Sequence, residues 1–546
     1  MSDHLLHISL AQGNFCVGDI SGNQQKIIEL AKQAESDQNA DVVIFPELAL
    51  TGYPPEDLLF RPGFHRRVAK ALQEVASELS SLNIILGYPE LHEGKLFNSA
   101  AHFFRGQRVV NYRKQFLPNY AVFDEKRYFH PGDSPTITEV NGFKLGLTIC
   151  EDIWNPSTSA EAAKAGAEVL CNLNASPYHR GKSRLRREAV STAAQAGKLP
   201  VLYVNTVGGQ DELVFDGGSF CVDSDGLVTG QGIFFEESLI PVKVQRGAAR
   251  ISVESGLVTP PDDDAALYSA LLLGIRDYVS KNGFQGCVLG TSGGIDSALV
   301  LALAVDALGP DAVTGVSMPS RYTADMSIED AREQARRHGC SFHVVPIRTA
   351  FEALQQSLSP ALANVEQGVT AENLQARVRG VMLMAFSNAS GAMVLATGNK
   401  SEMSVGYATL YGDMAGGFAP LKDVPKTMVY RLARWRNQQA PVIPERILER
   451  PPTAELAPGQ QDSDSLPPYD VLDPILEQYI EADKTPQEIA EDGFDLSVVR
   501  RVAAMVDRNE YKRRQAAPGV RVSERAFGRD RRYPITSRYN EQEPTI

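Results

Sequence analysis

The sequence predicts an α/β protein of two domains, the second built on a doubly wound parallel sheet. Three observations carry this expectation. At 546 residues the chain exceeds what one hydrophobic core organises. Short β-branched runs alternate with stretches whose apolar residues recur at helical spacing. A stretch around 253–264, with Pro260-Pro261 and three successive aspartates, suits neither a central strand nor a helix interior and separates two halves of different rhythm.

In the first half the strand candidates are Ile8-Ser9-Leu10, Val42-Val43-Ile44-Phe45, Ile84-Ile85-Leu86-Gly87, Leu145-Gly146-Leu147-Thr148-Ile149 and Val201-Leu202-Tyr203-Val204. Helices are predicted over 23–34, through Ile27, Ile28, Leu30 and Ala34, and over 68–82, through Ala69, Leu72, Val75 and Leu79. The boundary divides the chain into 1–252, a linker 253–264 and 265–546. After it come a helix over 265–279, a strand, glycine-rich turn and helix over 286–308, and strands at 313–318, 342–346 and 392–397. Residues 451–468, rich in Pro, Gly, Gln, Ser and Asp, read as a mobile loop.

Composition narrows the function. With 43% hydrophobic and 22% charged residues the chain matches ordinary globular proteins. A net charge of -13 argues against a nucleic-acid backbone or an anionic membrane as main partner, since both require a cationic face. The basic stretch 500–532 therefore suggests a dinucleotide's pyrophosphate or a subunit contact before RNA. No cationic segment precedes the first apolar residues, and the run 298–305 stops at Asp306, well short of the ~20 residues that span a bilayer, so a cytoplasmic location is expected. The six cysteines are scattered without metal-ligand spacing, and His4, His7 and His179 lack a ligand set.

Gly290, Thr291, Ser292, Gly293, Gly294, Ile295, Asp296 and Ser297 join a strand end to a helix start. Adjacent glycines admit a ligand close to the backbone, and the exposed N–H groups form an anion-binding concavity. The Lys of G-x-x-x-x-G-K-[ST] is missing, so this is not a Walker loop. The plainer alternative is a tight turn with Asp296 or Ser297 capping the helix.

Glu47, Lys114 and Cys150 each follow an apparent strand end, where side chains converge at one sheet edge. A cysteine that cleaves amides needs a base for its proton and a cation to favour the anion. Glu47 can be that base, and Lys114 can bind a tetrahedral oxyanion. The plainer reading of Cys150 is a buried apolar residue.

The string Ser292-Gly293-Gly294-Ile295-Asp296-Ser297 resembles the pyrophosphate-binding motif of ATP pyrophosphatases. The strings Asn373 to Arg379 (NLQARVR), Thr397 to Glu402 (TGNKSE), Tyr411-Gly412-Asp413, Arg450 to Leu456 (RPPTAEL) and Tyr511 to Gln515 (YKRRQ) resemble the NAD synthetase family. Phe45 to Tyr53 (FPELALTGY), Tyr112-Arg113-Lys114 and Cys150 to Trp154 (CEDIW) are similar, in order, to the Glu, Lys and Cys motifs of the nitrilase superfamily.

These resemblances imply an N-terminal four-layer α-β-β-α sandwich and a C-terminal Rossmann-like ATP pyrophosphatase domain. They imply that glutamine supplies ammonia at Cys150, supported by Glu47 and Lys114, with Tyr120, Glu125, Ser176 and Lys182 around glutamine. They further imply that ATP binds at 290–297 and Thr397, that Asp296 and Glu402 hold Mg²⁺, and that Asn373, Glu402, Asp413 and Lys512 surround deamido-NAD. The expected reaction amidates deamido-NAD to NAD, with AMP, pyrophosphate and glutamate as by-products and ammonia passed internally, in a dimer or larger homo-oligomer. Another glutamine-fed AMP-forming ligase, acting on a different carboxylate or base, is the alternative, and a non-catalytic nucleotide sensor is a further one.

Overall fold

Along the strand Leu5–Gln12, the residues Leu6, Ile8 and Leu10 point to one side and Ala11 to the other, and this period of two organises the whole N-terminal unit. The computed structural model describes residues 5–537 and 539, apart from 249, 364, 366, 454, 458 and 459. The chain divides at Asp263/Asp264 into two compact units.

The first unit contains two large sheets. One has seven strands in the order Ile251–Ser255, Ser238–Arg246, Leu5–Gln12, Val42–Ile44, Asn83–His92, Lys95–Phe104 and Gln107–Arg113. The other has six, in the order Val228–Gln231, Phe220–Val222, Val201–Asn205, Val169–Asn174, Phe143–Ile149 and Thr136–Val140. Leu6, Ile8, Leu10, Val42, Ile44 and Ile85 of the first sheet pack against Leu145, Leu147, Ile149, Cys171, Leu202 and Val204 of the second. The alternate residues face outward into helices. Val43, Phe45, Ile84 and Leu86 meet the helices Ile20–Gln38 and Pro62–Glu78, while Leu170, Val201 and Tyr203 meet Pro156–Lys164 and Lys182–Gly197. The result is a layered α-β-β-α sandwich, as its sequence resemblance implies.

Two expectations shift. Residues 253–255 do not belong to a linker: Val253 is buried in the sheet-to-sheet core, and Ile251–Ser255 adds an edge strand antiparallel to Ser238–Arg246. The second helix runs Pro62–Glu78 in place of 68–82, because Pro62 suits the first helical turn and the chain leaves the helix at Leu79.

In the second unit, four parallel strands lie in the order Ser341–Val344, Val313–Ser317, Cys287–Gly290, Met393–Leu395. Val288, Val316 and Val394 pack against Val378 and Leu383 of the helix Gly368–Ser390. The helix Ile295–Leu308, buried all round from Ala298 to Ala304, contacts the two central strands and the helices Asp325–His338 and Lys426–Gln439. A helical cluster built on Leu472, Ile475, Ile480, Val499, Val502 and Val506 completes this unit. Three arginines of the basic stretch are buried inside it: Arg513 and Arg521 against Glu510 and Asp530, and Arg531 beside the rings of Tyr479, Phe527 and Tyr533. No helix among the described residues is long and apolar enough to cross a membrane.

Gly87 shows how closely the first unit is drawn together where Glu47 leaves its strand. A Cβ at Gly87 would sit 2.5 Å from the Pro46 carbonyl oxygen, 2.6 Å from the Leu48 nitrogen and 2.9 Å from the Glu47 Cα. Gly87→Ala is therefore predicted to destabilise the protein by about 1–3 kcal/mol, read as a lower denaturant midpoint. An unchanged midpoint would show that the backbone at 46–48 yields freely.

Candidate active sites

Strand ends deliver the N-terminal constellation. Glu47 follows Val42–Ile44, Lys114 follows Gln107–Arg113, and Cys150 follows Phe143–Ile149 at the head of the short 3₁₀ turn Cys150–Trp154. Lys114 Nζ donates to Glu47 Oε1 and to Glu125 Oε1, both at 2.8 Å, and its side chain is 0% exposed. Glu47 is fixed from two further directions, by Asn98 Nδ2 at 2.7 Å and by the Ala175 backbone N–H at 3.0 Å. Tyr53 donates to Glu125 at 2.9 Å.

Such a cluster survives burial because each charge has an opposite neighbour. Burial lowers the Lys114 ammonium, but Glu125 and Glu47 outweigh it and hold the group well above its usual range. Burial lifts the Glu125 carboxyl to about 7, with Lys114 opposing. Burial and then Glu47 push the Cys150 thiol well above its ordinary value, and Lys114 works against them. Cys150 thus rests as a thiol, protonated but within electrostatic reach of Glu47 and Lys114. Its φ of 45° lies in the left-handed region, sparsely used by side-chain-bearing residues, where strain collects at functional positions.

Asp152 secures this arrangement. Its carboxylate accepts from the N–H groups of Gln115, Phe116 and Ile149 and from the Tyr112 hydroxyl, at 2.7–3.0 Å. One side chain so ties the segment around Lys114 to the residue preceding Cys150.

Glu125 joins the buried cluster directly. Tyr120 is exposed and donates to both oxygens of Glu151 at 3.0 Å, beside Cys150 in sequence. Lys182 begins the helix Lys182–Gly197 and places Nζ 4.4 Å from the Trp154 ring centroid, at the end of the turn that Cys150 begins. Ser176 is buried, its N–H donating to Asn205 Oδ1 and its Oγ accepting from Arg186 Nε, both at 3.0 Å. Among the histidines set aside above, His4 lies outside the described residues.

In the second unit the residues 290–297 line a cavity of about 280 Å³ together with Thr397, Glu402, Asp413, Lys426, Arg450, Glu455 and Asp462. Gly293 has φ +78°, and a Cβ there would lie 2.4 Å from the Ser327 carbonyl oxygen, so the tight turn requires glycine. The helix Ile295–Leu308 has Gly294 at its N-cap with no side-chain capping bond. Asp296 is turned elsewhere: it accepts from Asn399 Nδ2 at 2.8 Å and from Lys426 Nζ at 2.5 Å. Lys426 Nζ also reaches Glu402 Oε1 at 3.1 Å. Glu402 forms a capping box with Asn399 at the start of the helix Lys400–Val405. Burial raises the Glu402 carboxyl to about 7, with Lys426 lowering it and Asp296 raising it again.

Asp296 and Glu402 fit the pair expected to hold Mg²⁺. Both present hard carboxylate oxygens to one cation, and the charge that disfavours a second ionised carboxylate would be relieved by a dication. Among the described residues no cluster of three or more metal-ligating side chains occurs, so further ligands would come from phosphate and water.

Asn373 and Lys512 do not line the cavity; both attach to the adjoining segment 406–413. Asn373 Oδ1 accepts from Thr409 Oγ1 at 2.7 Å, Thr409 N–H donates to Asp413 at 2.6 Å, and Lys512 Nζ donates to the carbonyls of Gly406 and Ala408 at 2.7 and 2.9 Å. Burial lowers the Lys512 ammonium below its usual range, with Asp413 opposing. In the loop expected to be mobile, Glu455 and Asp462 have side-chain partners. Arg450 donates to Ser327 Oγ at 2.6 Å and pairs with Glu455, and Tyr469 donates to Asp462 at 2.8 Å. Ala454 lies outside the described residues.

Sequence reasoning missed Asn98, Asn399 and Lys426. Lys426 left one usable signal, because a lysine at the first position of a helix opposes the helix dipole and calls for a nearby anion. Asn98 left none: it is one of three buried polar residues, with Ser99 and His102, in the strand Lys95–Phe104.

Residues 7–251 match the carbon-nitrogen hydrolase family and residues 267–516 the NAD synthase family. The chain is 48% identical to the glutamine-dependent NAD(+) synthetase of Acinetobacter baylyi, over 97% of this chain and 98% of that protein. It is 46% identical to that of Thermotoga maritima, over 98% and 99%. A solved structure of the glutamine-dependent NAD+ synthetase from Acinetobacter baumannii in complex with ADP superposes with a TM-score of 0.79 at 46% identity, covering 97% of this chain and 98% of that one. At nearly half identity and near-complete coverage on both sides, this chain belongs to the glutamine-dependent NAD(+) synthetase family.

Proposed function

We propose that the chain amidates deamido-NAD to NAD with ammonia taken from glutamine, consuming ATP and releasing AMP, pyrophosphate and glutamate. The observation that carries this reading is the presence, on one chain, of a buried Cys150–Glu47–Lys114 cluster and a glycine-rich loop opening on the Asp296–Glu402 pair.

In the first unit, Glu47 takes the thiol proton as the Cys150 sulfur attacks the glutamine side-chain carbonyl. Lys114 has two of its three N–H groups engaged by carboxylates, leaving the third for the developing oxyanion. Glu47 returns the proton to the departing ammonia, and water then frees glutamate from the thioester. Tyr120, Ser176 and Lys182 hold the amino-acid end of glutamine.

In the second unit, residues 290–297 and Thr397 take the ATP phosphates. Asn373, Glu402, Asp413 and Lys512 take deamido-NAD. Asp296 and Glu402 are the carboxylates that would hold Mg²⁺, which when bound neutralises charge on phosphoryl oxygens. Lys426 adds a cation at the same place. ATP transfers AMP to the nicotinate carboxylate, and ammonia displaces it.

The chain acts in the cytoplasm as a dimer or larger homo-oligomer. Six unpaired cysteines accord with a reducing compartment, and Val369, Val381 and Met384, exposed on the helix Gly368–Ser390, accord with a second copy.

Cys150→Ala is predicted to lower glutamine-supported synthesis by roughly 10³-fold or more while ammonium salts still support it. Full activity of the variant on glutamine would overturn the assignment. Lys426→Met is expected to reduce synthesis from either nitrogen source by about 10²–10³-fold, since it leaves Asp296 and Glu402 without their cation; normal rates with ammonium would contradict a role at the phosphates. Because burial and Glu47 raise the Cys150 thiol well above its ordinary value, the thiolate ultraviolet signal of native protein minus Cys150→Ala should be absent at neutral pH and develop only in alkali. A half-developed signal at neutral pH would mean that Lys114 outweighs burial.

A further inference from the structure

Arg186 is buried at 3% exposure one turn beyond Lys182, yet it has no part in the scheme above. Its Nε donates to Ser176 Oγ at 3.0 Å, and Nη2 donates to the carbonyls of Ser176 and Pro177 at 2.7 and 3.0 Å. Nη1 reaches both oxygens of Asp216, at 2.6 and 2.8 Å. Of the five N–H groups of the guanidinium, the one on Nε and both on Nη2 are directed at Ser176 and Pro177, and Nη1 lies against the Asp216 carboxylate, so the fork is used chiefly within the protein. The segment it grips is bounded by other fixed points: Ala175 N–H on Glu47 Oε2 and Ser176 N–H on Asn205 Oδ1, both at 3.0 Å.

We infer that Arg186, anchored by Asp216, is a positioning residue for glutamine recognition, holding the Ser176-Pro177 turn so that Ser176 meets the amino-acid end of the substrate. Burial of this ion pair is costly unless the fork is fully used, and here the fork is directed at three acceptors of one turn. Lysine cannot replace it, because a point charge with three donors cannot face Asp216 and three turn oxygens together. This rests on the reading of Ser176 as a glutamine contact.

The test is glutamine-supported kinetics on Arg186→Lys, with ammonium-supported synthesis and the melting temperature as checks on folding. The expected result is a glutamine KM raised about tenfold or more with kcat changed less than about threefold. An unchanged KM in the folded variant overturns the inference, as does a loss confined to kcat, which would mean that the turn serves Glu47 through Ala175. Should Arg186→Lys fail to fold, Asp216→Asn removes the anchor and is expected to raise KM in the same way; a normal KM there also overturns it. Ser176→Ala separates the two readings. A normal KM in Ser176→Ala removes Ser176 from glutamine binding and the inference with it, whereas a raised KM there beside a normal one in Arg186→Lys removes only the role of Arg186.

Discussion

The Lys114 ammonium, enclosed between Glu47 and Glu125, is the interaction on which the N-terminal unit is organised. An isolated ion in such a place would cost several kcal/mol, and removing one partner from a buried pair costs about 3–5 kcal/mol. The cluster therefore requires four strand ends to hold their places at once: those leading to Glu47, Lys114, Cys150 and Ala175. The two sheets supply this because their core is packed from both faces, and Asp152 ties the Lys114 segment to the Cys150 turn. The same enclosure that holds Lys114 charged holds Cys150 neutral. Cys150 is thereby kept uncharged beside the ammonium of Lys114.

The second unit repeats the device with a different exposure. Lys426 lies between Asp296 and Glu402 as Lys114 lies between Glu47 and Glu125, but here the carboxylates are 17% and 18% exposed at a cavity wall. A closed triad keeps water from its charges, whereas an open one leaves its carboxylates able to exchange partners with solvent. The turn Gly293-Gly294 brings bare backbone to the cavity, with the Gly294 N–H donating to Ser292 Oγ at 3.2 Å, and Asp296 is drawn from a capping role towards Lys426 and Asn399. The plainer reading of Asp296 as a helix cap thus gives way to a charge network.

Much of this was legible in the amino-acid sequence, for local reasons. Short β-branched runs are a local property of the chain, so several main strands could be read directly, whereas the four-layer arrangement came from the nitrilase resemblance. The strand-to-helix junction at 290–297 is a continuous string whose glycines have a backbone purpose. The placement of Glu47, Lys114 and Cys150 after strand ends was equally visible. The edge strand Ile251–Ser255 was not, because its proline- and aspartate-rich sequel hid a short partner strand whose only support is the neighbouring Ser238–Arg246.

By itself, then, the sequence determined several of the main strands and the chemical kinds of group that follow three of them, Glu47, Lys114 and Cys150. Tertiary structure alone decided which charges meet. Lys114 and Glu47 are 67 positions apart, and Lys426 and Asp296 are 130 apart. The fork of Arg186 reaches Ser176 along the chain and Asp216 from across it, 10 and 30 positions away. Periodicity is a property of neighbours along the chain, whereas the pairing of buried charges is set by desolvation, which acts only once sheets and helices have closed around them.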